Sequence, residues 1–210
     1  MSVLQPEIII DRIVTWLRLS LKETNKEVII FNDDKSFEAK LLSYICKDKI
    51  KHKGIEQGTK SIDDEILTKS HISFISEREN GIIAGIANKN QLELIRCYHK
   101  YGGGLGDLFP FAELYRSEIL ELTTYLNIDV PANELINDLS YEELEWASRE
   151  NSQNNIIVND EPPNKVKVWF KYTKRQKEII SKLHQIEKKT RHKKIDNKKI
   201  LDIRITGLVR

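Results

Sequence analysis

Cysteine is nearly absent from this chain: Cys46 and Cys97 are the only two. They are too few and too far apart for a disulfide framework or a cysteine-based metal site, and both are read as reduced, buried thiols. The five histidines are scattered without metal-ligand spacing, and only His192 is singled out, for its place in a basic run. No apolar stretch approaches the roughly 20 residues that a bilayer span needs. The first six residues lead into an amphipathic segment and not into a basic start followed by an apolar run, so a cytoplasmic chain with no membrane contact is expected.

What is present is globular in kind. The 210 residues are 40% hydrophobic and 31% charged, with six Phe, seven Tyr and three Trp. That length supports one domain, residues 1–210, able to bury roughly 70% of its unfolded surface. The net charge of +2 hides a division. Residues 164–210, read as a basic helical tail, carry 16 Lys/Arg against 4 Asp/Glu, leaving 18 against 28 for the acidic body before them.

Periodicity gives the elements. Ile9, Ile10, Ile13, Trp16, Leu17 and Leu21 recur at helical spacing over residues 7–21, with Pro6 suited to the first turn. Residues 27–31 form a short apolar run typical of a buried parallel strand, and residues 32–36 read as a turn and helix cap before a helix carrying Phe37, Leu41, Leu42 and Ile45. Residues 47–70 are expected to be a loop with at most a short helix near 62–67. Residues 71–76 and 81–87 read as strands, and 90–101 as a helix. After a glycine-rich stretch at 101–106, helices are expected from Pro110 to Asn127, over 141–147 and over 171–189, with a linker at 151–164. Strands alternating with helices imply an α/β fold with a mostly parallel sheet and helices on both faces, Rossmann-like.

Three ordered motifs carry a resemblance. They are Gly85-Ile-Ala-Asn-Lys89, then Lys100-Tyr-Gly-Gly-Gly-Leu-Gly-Asp107, then Pro110-Phe-Ala-Glu-Leu-Tyr-Arg116 running on to Leu126 and Pro131. In order and spacing they resemble the ammonia-dependent NAD synthetase family, within the adenine-nucleotide α-hydrolase-like superfamily, whose corresponding motifs read Gly-Thr-Gly-Asn-Lys, Lys-Tyr-Gly-Asp-Gly-Gly-x-Asp and Pro-x-x-Asp-Leu-x-Lys. The match covers about a quarter of the chain, and the first helix, strand, turn and helix sit where that family has its first βα unit.

The resemblance implies an enzyme that adenylates the nicotinate carboxylate of deamido-NAD with ATP and Mg²⁺ and then lets ammonia displace AMP. Such chemistry requires a phosphate cradle, metal ligands and charge on the leaving group. The family cradle is a Ser-Gly-Gly-x-Asp-Ser turn. Here it reads Phe31-Asn-Asp-Asp-Lys-Ser36, without glycine and with Asp33 and Asp34 where phosphate oxygens would sit. The family threonine becomes Ile86, and an aspartate becomes Gly103. The phosphate-facing lysine becomes Arg116, while the acidic metal ligand falls on Gln91 or Glu93. Asp33 is the other candidate metal ligand.

A shortened, degenerate homologue is therefore expected. Asn32, Asp33, Asp34, Lys35 and Ser36 form its altered ATP loop, and no catalytic residue is carried over. Phosphate candidates are Arg116, Lys193 and Lys194; deamido-NAD candidates are Asn88, Lys100, Tyr101 and Asp107. The resemblance also implies a homodimer, with Ile9, Ile13, Trp16 and Leu17 offered either to a dimer surface or to the core, and a heteromer with an active synthetase follows as a corollary. Two alternatives stand beside it: a divergent but active synthetase, and a nucleic-acid or protein-binding module using the tail. A solvated helix face is the plainest reading of that tail.

Overall fold

The computed structural model describes residues 5–56, 62–95, 106–129, 138–154, 156 and 171–190. Helix α1, Pro6–Thr24, begins with the proline whose missing N–H costs nothing in a first turn, and ends at Asn25, held in the left-handed region at φ 53°. Strand β1, Val28–Asp33, leads to helix α2, Phe37–Cys46, then to β2, His52–Glu56. Helix α3, Ile62–Arg78, returns the chain to β3, Gly81–Ile83. A π-helical turn, Gln91–Ile95, is followed by α4, Arg116–Tyr125, α5, Tyr141–Asn154, and α6, Lys174–Thr190.

Among the described residues the sheet has the order β2-β1-β3, with both pairings parallel. Ile29 lies opposite His52 on one side and Ile82 on the other, so β1 is the central strand. Its alternate residues divide between two apolar layers, as the period of two requires. Ile29 and Phe31 join α1, α2 and α4 through Ile9, Ile13, Leu17, Leu41, Leu42, Ile119 and Leu122. Val28 and Ile30 join Ile55 of β2 and Ile72 and Ile75 of α3. Helices thus cover both faces, the expected α/β arrangement. A separate cluster of Leu139, Tyr141, Leu144, Ala147, Ile179 and Leu183 packs α5 against α6.

Several expectations are corrected. Residues 71–76 are not a strand: they lie in α3, where Ile72 and Ile75 are buried one turn apart while Phe74 is 61% exposed. The alternation His-Ile-Ser-Phe mimics a strand, but a parallel crossover from β2 to β3 demands a helix. Residues 52–56, expected in a loop, form β2; only Ile55 is deeply buried there, so backbone pairing and not side-chain pattern makes this strand. The helix expected after Pro110 starts only at Arg116, where the Glu118 carboxylate accepts the Tyr115 N–H at 2.7 Å. Helix α5 runs to Asn154, past the expected start of a linker. It opens with a capping box: Ser140 N–H donates to Glu143, and Glu143 N–H to the Ser140 hydroxyl, at 3.0 and 3.2 Å. Thr173 and Gln176 make the same reciprocal pair, so α6 starts three residues later than expected. Of the helix expected over 90–101, the described part is the π-helical turn.

Ile9, Ile13 and Leu17 are each fully buried, which gives them to the core and removes them from a dimer surface. Cys46 is buried as expected, and burial pushes its thiol up to about 12; Cys97 lies outside the described residues. No described helix is long and apolar enough to cross a membrane.

Candidate functional site

In an open parallel sheet, ligands bind beyond the carboxyl ends of the strands where the strand order reverses. Here that point lies between β1 and β3, because the chain leaves β1 for β2 on one side and later returns to β3 on the other. Three segments meet there: residues 33–36 after β1, residues 84–90 after β3, and residues 113–116 before α4.

The first segment closes on itself. Asp33 Oδ1 accepts the Lys35 N–H at 3.2 Å, Asp34 Oδ1 accepts the Ser36 N–H at 3.0 Å, and the Ser36 hydroxyl oxygen accepts the Ala39 N–H at 3.2 Å as the cap of α2. Lys35 takes the left-handed conformation at φ 63°. Three N–H groups that such a loop and first helical turn would offer to an anion, those of Lys35, Ser36 and Ala39, are thus bonded to the chain's own carboxylates and hydroxyl. Asn32, on β1, is half-buried.

The other two segments build a buried polar centre. Asn88, Lys89, Asn90 and Arg116 are all at most 7% exposed. Asn88 donates from its amide to Glu38 Oε1 at 2.7 Å, and Asn90 Oδ1 accepts the Arg116 N–H at 3.0 Å. The Arg116 guanidinium lies between two rings, 3.9 Å from that of Phe37 and 3.7 Å from that of Tyr141. Both of its π faces are therefore covered. Burial raises the Glu38 carboxyl to about 7, against the lowering effect of its backbone and Asn88 hydrogen bonds and of the Arg116 charge. Lys89 Nζ lies 3.4 Å from Glu93 and 3.8 Å from Glu113, and 5.2 Å from the Tyr115 ring centroid.

The two positions that could inherit the acidic metal ligand each hold a structural bond instead. Glu93 accepts the Ser148 hydroxyl at 2.7 Å. Gln91 is locked to Asn88, its side-chain oxygen accepting the Asn88 N–H at 3.0 Å while its own N–H donates to Asn88 Oδ1 at 3.1 Å. Among the described residues no three His, Cys, Asp or Glu side chains converge on one point. Gln91 offers no carboxylate, and the Glu93 carboxylate is shared between Ser148 and Lys89.

Asp107 is likewise engaged locally, since its carboxylate accepts the Ile83 N–H at 3.0 Å and ties residues 107–108 to the end of β3. It does not cap α4. Gly85 is required by close approach, because a Cβ there would stand 2.4 Å from the Phe109 ring. The structure brings together Asn88, Arg116 and the residue 32–36 loop. Lys100, Tyr101, Lys193 and Lys194 lie outside the described residues. Sequence reasoning missed Glu38, Phe37 and Tyr141, since an acid in a first helical turn and two helix-start aromatics look ordinary until the fold gathers them.

A three-layer α/β protein with its crevice at the switch point of a parallel sheet is the class that this geometry defines. No protein-family model matches the chain. It is 27% identical over 115 residues to the NH3-dependent NAD⁺ synthetase of Archaeoglobus fulgidus, covering 55% of this chain and 44% of that protein. It is 41% identical over 49 residues to the enzyme of the same name from Picrophilus torridus, covering 23% and 19%. The chain thus matches under half the length of these curated relatives. Among solved structures, an NH3-dependent NAD synthetase from Campylobacter jejuni superposes with a TM-score of 0.67 at 16% identity, over 94% of this chain and all of the other. An NMN synthetase from Francisella tularensis gives 0.65 at 14% identity, over 92% and 98%. The chain is thus similar over part of its sequence to NH3-dependent NAD synthetases, and it shares its fold with NAD and NMN synthetases.

Proposed function

We propose that the chain is a NAD synthetase homologue whose nucleotide crevice is filled by its own side chains, with little or no amidation activity, acting as a dimerising or regulatory partner. The observation that carries this reading is the loop after β1, where Asp33 and Asp34 occupy the Lys35 and Ser36 N–H groups. A polyphosphate entering there meets two carboxylates and finds those donors taken. Arg116 supports the same reading, because it is 5% exposed and packed between Phe37 and Tyr141, so little of it is open to a ligand from solvent.

The retained Asn88 and Asp107, with Lys100 and Tyr101, would then serve a deamido-NAD half-site or only the fold. Self-association would use exposed apolar residues of α1: Ile8 and Leu19, 42% and 50% exposed, stand eleven residues apart and so on one helix face. In this reading the protein works in the cytoplasm, as a homodimer or paired with an active synthetase.

Incubation with ATP, Mg²⁺, ammonia and deamido-NAD tests the enzymatic half: no NAD above background is expected, and sustained turnover would establish a divergent active synthetase instead. Mixing with an active NH3-dependent NAD synthetase tests the other half. A mixed complex or an altered rate is expected, and self-association alone would remove the regulatory role.

A further inference from the structure

Beside that crevice, and sharing Asp33 with it, a cavity of about 440 Å³ opens along α2, between this helix, the start of β2 and the residues that follow α4. Its size falls within the roughly 300–1,000 Å³ of small-molecule sites. Ser43, Tyr44, Lys40, Lys47 and His52 line it, together with Asp33 and Asp129. Ser43 Oγ is 3.2 Å from His52 Nε2, and His52 Nδ1 is 3.0 Å from the Ile50 carbonyl oxygen. A carbonyl oxygen can only accept, so Nδ1 carries the hydrogen. In the neutral ring Nε2 is then the acceptor, and the Ser43 hydroxyl donates to it. The Phe31 ring stacks on the imidazole at 6.3 Å between centroids and 20° between planes. A hydroxyl bonded to a base that a third group orients is the arrangement of an activated nucleophile. Lys40 and Lys47 flank Ser43 three residues before and four after, its neighbours on the helix surface.

We propose that Ser43 and His52 form a nucleophile–base pair that accepts the acyl group of a small carboxylic ester bound in this cavity. Ser43 Oγ forms a bond to the ester carbonyl carbon while its proton passes to His52 Nε2. The oxyanion develops beside the Lys47 ammonium; Lys40 is turned toward the Asp129 carbonyl oxygen at 3.5 Å. Collapse breaks the bond to the alcohol, which leaves with the proton from His52. Water then attacks the acyl-serine by the same route and releases the acid, so that ester and water give acid and alcohol. Nothing in this chemistry draws on the crevice between β1 and β3.

The test is peptide mapping after treatment with a fluorophosphonate, whose phosphorus takes the place of the ester carbon and loses fluoride. An adduct on Ser43 is expected. Ser43→Ala should abolish it, His52→Gln should slow its formation by about 100-fold or more, and Lys47→Gln should slow it by on the order of 10-fold or more, with thermal melts showing each variant folded. Should His52→Gln fail to fold, the Lys47→Gln comparison decides. Absence of an adduct on Ser43, labelling confined to Tyr44 or the lysines, or a rate unchanged in the folded His52→Gln or Lys47→Gln protein would overturn the proposal.

Discussion

The two ends of α2 treat their polar groups in opposite ways. At its N-terminus the loop carboxylates and the Ser36 hydroxyl answer the chain's own N–H groups, and the Arg116 guanidinium is closed between Phe37 and Tyr141. Along its later turns, Ser43 and His52 face an open cavity with two lysines beside them. A polar group satisfied internally contributes to folding and has little left for a ligand, whereas one that lines open space keeps its chemistry available. The comparison teaches that a resemblance marks where to look for chemistry, and the hydrogen-bond partners say what each polar group has left to offer.

Arg116→Ala should have the largest effect. It leaves the buried Glu38 carboxyl without its nearby cation and empties the slot between two rings, so a loss of roughly 3–5 kcal/mol is expected in urea unfolding. A change below about 1 kcal/mol would mean that the cluster is not the structural keystone described.

Glu38 gives the next effect. Its folded-state value near 7 is raised from 4.5, so the folded protein favours the protonated form. The associated stability is fully present below about 4.5 and is lost as pH rises through 7. Glu38→Gln mimics the protonated carboxyl. It should flatten that part of the stability–pH curve and raise stability at pH 8 by on the order of 1–3 kcal/mol. An unchanged curve would remove Glu38 as the source.

Smaller still is the expected effect on folding of Asp33→Ser combined with Asp34→Gly, within about 1 kcal/mol of the parent. Freed of two carboxylates, the Lys35 and Ser36 N–H groups should gain measurable affinity for inorganic pyrophosphate in calorimetry. No gain would show that these side chains are not what keeps anions out. Ser43→Ala, by contrast, should move stability by no more than about 0.5 kcal/mol, since it replaces a partly exposed residue by a better helix former.

The core is largely legible in the sequence. The helical spacing of Ile9, Ile13 and Leu17, the apolar run of β1 and the stripe through Ile119 and Leu122 all report burial directly. Strand β2 is not legible, because a strand with one buried side chain is held by backbone pairing that leaves no side-chain pattern. The end of α3 misleads for a related reason: its local alternation favours a strand, and the need to cross the sheet overrides it. At the crevice, Asp33, Asp34 and Ser36 can be read because a capped turn is local. The Glu38–Asn88 bond joins residues 50 apart, and Asn90 meets Arg116 across 26, so only the fold discloses them. Ser43 and His52, nine residues apart on a helix and on a strand whose sequence reads as loop, are hidden with β2 itself.

The most direct test is calorimetric titration of the intact chain with ATP·Mg²⁺. The closed loop after β1 predicts no saturable heat at up to about 1 mM nucleotide, an affinity weaker than roughly −4 kcal/mol. Stoichiometric binding in the micromolar range would show that the loop opens to a polyphosphate and would contradict the account of a crevice occupied by its own side chains.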